Sequence, residues 1–115
     1  MADSAEAIVV AALAGIGVNV YPDVAQSNAA RPYVTYQAVG GQDVNDLDGP
    51  ADLENQRVQI SVWSATRAET VATMRLVRNA LVGAGALPIG SPVSEHEQDT
   101  NLYGSRLDYS IWFKP

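Results

Sequence analysis

The sequence predicts an α+β fold: a mostly antiparallel β-sheet with two helices packed on one face, in the order α-β-β-β-α-β-β. Two observations carry this. In Val58 to Ser64 and again in Leu107 to Phe113, apolar and polar residues alternate, the pattern of strands with one covered face. Between Thr66 and Ala84 the apolar positions instead fall three and four apart, which is helical spacing. The 115 residues, 47% hydrophobic and 17% charged, suit one domain spanning 1–115 with a real core.

Asp3-Ser4-Ala5-Glu6 opens the first helix, with Asp3 as the expected N-cap. Ile8, Val9, Ala12 and Leu13 are its apolar stripe, and Gly15 or Gly17 ends it in a left-handed conformation. Acids stand where a signal peptide carries positive charge, so this run is read as a helix of the mature chain. Val18 to Tyr21 is a short strand stopped by Pro22, and residues 23–30 form a loop. Pro32 to Val39 is rich in β-branched and aromatic residues and closes at Gly40-Gly41. Leu53 to Ser64 is the next strand, with Val58, Ile60 and Val62 on one face and Arg57, Gln59 and Ser61 on the other.

Thr66 and Glu69 form a capping box at the start of the second helix. Thr73, Leu76, Val77, Ala80, Leu81 and Ala84 are expected to face the sheet, and Gly83 and Gly85 to end the helix. A strand punctuated by Pro and Gly follows from Leu87 to Gln98. The last strand, Leu102 to Phe113, turns Leu107, Tyr109, Ile111 and Phe113 inward and Arg106, Asp108 and Ser110 outward.

Composition narrows the function. The chain has no cysteine, which excludes disulfides, thiolate chemistry and Cys-ligated zinc. A net charge of −6 argues against nucleic acid as the main partner, and no run is long enough for a membrane span. The acidic stretch Asp43 to Asn55 looks like a calcium loop only at first. Aligning Gly49 with the loop's glycine puts Asp46 and Asp48 at ligand positions. It also puts Val44 and Asn55 where an Asp and a bidentate Glu are needed. The calcium assignment fails. What remains is a long acidic loop, expected to be mobile over residues 41–52; structureless loops of such length are usually either functional or disordered.

Glu95-His96-Glu97 holds the sole histidine. With no orienting partner in the sequence, an exposed strand histidine is the better reading than a general base. No nucleophile elbow, P-loop or dinucleotide fingerprint occurs. Neither a catalytic residue nor a metal or cofactor site is assigned. Trp63 and Trp112, at strand ends, suit core or interface anchoring. Arg67, Arg75 and Arg78 share one helix stripe with Val71 and Val82. An ordinary solvated face and a protein-binding face account for that stripe equally well.

Taken together, these elements resemble the tail completion or tail terminator proteins of long, non-contractile-tailed bacteriophages. The matching pieces are the N-terminal helix, Val20-Tyr21 with its proline, and the Arg31-to-Tyr36 strand. The Val58-to-Ser64 strand running into a helix and the closing Tyr103-to-Phe113 strand match as well. The resemblance implies a structural protein, not an enzyme, that caps the tail tube, ends its polymerisation and helps form the head–tail joint. It implies the tail tube protein and the head connector protein as partners. A homo-oligomeric ring is implied too, hexameric in the family, built from a free chain that is either monomeric or already assembled. Its place would be the virion tail of a phage or prophage, with assembly in the bacterial cytoplasm. Asp43, Asp46, Asp48, Arg67, Arg75, Arg78, Trp63 and Trp112 are the candidate subunit or tail interface. The competing assignments are a small enzyme or ligand-binding domain whose pocket the sequence does not reveal, and a regulatory module that uses the arginine stripe.

Overall fold

The computed structural model describes residues 4–41, 45–46, 49–50 and 53–115. Its elements are α1 (Ala5–Ala14), β1 (Asn19–Pro22), β2 (Tyr33–Ala38), β3 (Asn45–Asp46), β4 (Gly49–Pro50), β5 (Glu54–Ser64), α2 (Arg67–Gly83), β6 (Leu87–Glu97) and β7 (Leu102–Phe113). Five strands form one sheet in the order β1-β2-β5-β7-β6. All its pairs are antiparallel except β1–β2. Both helices pack on the same face, against each other and against β5 and β7. β3 and β4 form a separate two-stranded ladder inside the segment expected to be a structureless loop. The rest of that expectation, including mobility over 41–52, lies mostly outside the described residues.

The ten residues between Pro22 and Tyr33 carry the chain back to the start of β2, so that β1 and β2 run parallel. Asp23 begins this return with φ 62, a left-handed conformation that Asp tolerates better than most residues.

Local capping shaped both helices, with two departures from expectation. Ser4 is the N-cap of α1, its Oγ accepting from the Ala7 N–H at 3.1 Å; Asp3 lies outside the described residues. Gly17 (φ 74), rather than Gly15, is the left-handed residue after the helix. At α2, Thr66 Oγ1 accepts from the Glu69 N–H at 3.2 Å. The returning half of the box is replaced, because the Glu69 carboxylate accepts from the Ser64 hydroxyl instead. The helix ends in a Schellman arrangement: Ala86 N–H donates to Leu81 O at 2.9 Å and Gly85 N–H to Val82 O at 3.0 Å.

The core lies between the sheet and the helices. Val9 and Leu13 of α1 and Met74, Val77 and Leu81 of α2 meet Val34, Val58, Ile60, Val62, Leu107, Tyr109 and Ile111. Two residues expected to face the sheet do not. Leu76 is 53% exposed, and Ala84 is the exposed C-cap. The buried stripe is Thr70, Thr73, Met74, Val77 and Leu81, and at 3.6 residues per turn Leu76 projects about 120° away from its centre. Thr70 is buried without cost to its hydroxyl, which lies 2.8 Å from the Thr66 carbonyl and 3.0 Å from that of Tyr103. That contact also ties α2 to β7.

Candidate functional site

Both helices lie on one face, and among the described residues no helix packs on the other face of the sheet. The register puts Trp63 opposite Gly104 and Trp112 opposite Asn55 on that face. They are eight residues apart along β5, roughly 26 Å, so they do not form one site. Trp112 is exposed at one end. Trp63 is half-buried at the other end, lying over Gly104, where an added Cβ would come within 2.7 Å of its ring. A methyl group there must lift the indole off the sheet. Gly104→Ala, made with Trp112→Phe so that Trp63 is the sole tryptophan, should red-shift the emission and cost about 1–3 kcal/mol of stability. Unchanged emission would refute this packing.

Beside Trp63 the 23–31 connection meets the sheet in a cleft of about 360 Å³ that includes Tyr33, Thr35, Ser61 and Glu97. Burial raises the pKa of the Tyr33 hydroxyl, Glu97 adds to the rise, and Arg31 opposes it. Between the two tryptophans the face is crossed by ion pairs, Arg57 Nε to Asp108 Oδ2 at 2.7 Å and Arg106 to Glu95 at 3.2 Å. Arg57 and Asp108 were assigned only an outward direction from sequence; their partnership joins positions 51 residues apart.

The arginine stripe of α2 is exposed as expected, but its members differ in setting. Arg67 lies 5.6 Å from the centre of the Tyr103 ring, within cation–π range. His96, an exposed strand residue as expected, packs on the same ring at 4.7 Å, and its Nε2 is 2.9 Å from Asn101 Oδ1. Arg75 and Arg78 instead line a groove of about 490 Å³ between α2 and β6, together with Val71, Met74, Pro92 and Ser94. Of the acidic candidates, Asp46 pairs through its backbone with Gly49; Asp43 and Asp48 lie outside the described residues. Among the described residues no three His, Asp or Glu side chains gather as metal ligands.

Sequence reasoning placed the strand that begins at Leu87 but not its position at the edge of the sheet. β6 exposes Leu87 (56%), Ile89 and Val93, and a register shift separates Ile89 from Val93 near Gly90. The two prolines and the glycine were the available signal, since such residues concentrate at edges and bulges.

No curated protein matches the chain. Among solved structures, a chain from the virion of a native gene transfer agent (GTA) particle is similar in fold. The TM-score is 0.57 at 18% identity, over 90% of this chain and 84% of that one. The family model for tail completion protein gp17 matches residues 2–114. The match takes in both helices and every strand of the sheet, and the chain therefore belongs to the tail completion protein gp17 family, as a structural protein of the phage virion tail.

Proposed function

We propose that the protein caps the finished tail tube as a closed ring of identical subunits, hexameric as in the family it resembles. Closure of the ring ends tube polymerisation and presents a surface to the head connector. The family match over residues 2–114 carries this reading. Geometry supports it: exposed apolar side chains occur on two different surfaces, Val71 and Val82 on one stripe of α2, and Leu87, Ile89 and Val93 on β6. A head-to-tail ring needs two unlike patches on each subunit, and apolar patches of this kind mark contact surfaces.

The test is polymerisation of purified tail tube protein with and without this chain, followed by negative-stain microscopy. Growing tubes should acquire a ring at one end and stop lengthening, and the capped ends alone should bind the head connector. Tubes that keep growing with bare ends in excess protein would overturn the proposal.

A further inference from the structure

On the face without helices Arg57 and Arg106 each have a carboxylate partner. The helix side is different. Among the described residues neither Arg75 nor Arg78 has an ion-pair partner, in a chain with 13 acidic and 7 basic side chains. Both border a groove with Val71, Met74 and Pro92. Val71 is 47% exposed. Unpaired cations flanking accessible apolar side chains suit a ligand that is both acidic and apolar.

The sequence contains one segment of that composition. In residues 43–54, Asp43, Asp46, Asp48, Asp52 and Glu54 are interleaved with Val44, Leu47 and Leu53. The segment joins β2 to β5, and β5 begins at Glu54, opposite Phe113. The Ser94–Ser105 rung of the groove is level with Val62, eight residues further along β5, roughly 26 Å away. The groove and Glu54, where the segment rejoins the sheet, are thus different patches of one subunit, as a head-to-tail contact requires.

We propose that the acidic segment 43–54 of one copy docks in the Arg75–Arg78 groove of a second copy. This deepens the reading of the protein as a ring-forming cap and rests on it for its setting. Exposed ion pairs are individually weak, so the docking needs several of them together with the apolar contacts.

The absence of cysteine makes a disulfide-trapping test clean. Asp48→Cys and Arg75→Cys are made in separate chains, mixed and oxidised, both as concentrated free protein and on capped tubes. The mixture should give a disulfide-linked dimer of the two variants at a yield several-fold above either variant alone. At about 1 M ionic strength, where the Debye length is about 3 Å, that yield should fall several-fold. A chain carrying both cysteines should stay largely uncrosslinked when dilute; an efficient intrachain disulfide would place the segment in its own groove and overturn the proposal. Mixed dimer absent in both settings also overturns it, and if the wild-type chain still stops tube growth, the capping function stands without this contact. Charge reversal gives an independent check: Arg75→Glu with Arg78→Glu should abolish association, and adding Asp46→Arg with Asp48→Arg should restore part of it. Normal association of the Arg75→Glu, Arg78→Glu variant would refute the docking.

Discussion

Leu81→Ala should lower the unfolding free energy by about 2–5 kcal/mol, whereas Leu76→Ala, five residues earlier on the same helix, should change it by no more than about 0.5 kcal/mol. Leu81 is fully buried in the last turn of α2, beside Ala86, whose N–H its carbonyl accepts. Truncation leaves a cavity where the helix end is already fixed by the Schellman bonds, so the surroundings have little freedom to collapse into it. Leu76 is 53% exposed and loses little on truncation. For a chain of this size the Leu81→Ala loss corresponds to a fall in Tm of roughly 10–20 °C. Denaturant unfolding of both variants checks the pair. Equal losses would mean that α2 presents a different face to the sheet.

Tyr109 should make the protein lose stability in strong alkali. Its ring is fully buried, and its hydroxyl has no hydrogen-bond partner among the described residues. Burial pushes the hydroxyl pKa up to about 12, with the nearby Arg78 charge acting in the opposite direction. The unfolded value is about 10. Below pH 10 the group is protonated in both states and the stability is intact. Between about pH 10 and 12 the unfolded chain releases a proton that the folded chain retains, so stability falls as pH rises, by about 1.4 kcal/mol per unit and about 2–3 kcal/mol in total. Tyr109→Phe should remove this component and leave a shallower slope from Tyr33 and Tyr36, both raised chiefly by burial. At neutral pH the same variant should be as stable as the wild type or up to about 1 kcal/mol more so, since no hydrogen bond is lost. Urea midpoints from pH 7 to 12 measure both effects. A neutral-pH loss above about 1 kcal/mol would reveal a partner for the hydroxyl.

What the sequence determined by itself is the part written in near neighbours. Alternation from Val58 to Val62 and from Leu107 to Ile111 identified the strand faces that are buried, because side-chain direction in a strand repeats every two residues. Thr66 and Gly85 marked the ends of α2, because a cap is satisfied within one turn. The orientation of α2 was only partly legible. Thr73, Val77 and Leu81 were placed correctly, but Leu76 and Ala84 were misplaced and Met74 omitted, since apolar residues lie on more than one side of this helix. Only the tertiary structure decided the strand order, the parallel β1–β2 pair and the exposed β6 edge. It also brought Trp63 onto Gly104 and Arg57 to Asp108, and it set Arg75 and Arg78 along one groove with Pro92 and Ser94. Each of those contacts joins residues more than ten positions apart, and the register that creates it is selected by burial of the whole helix-facing surface rather than by any local pattern.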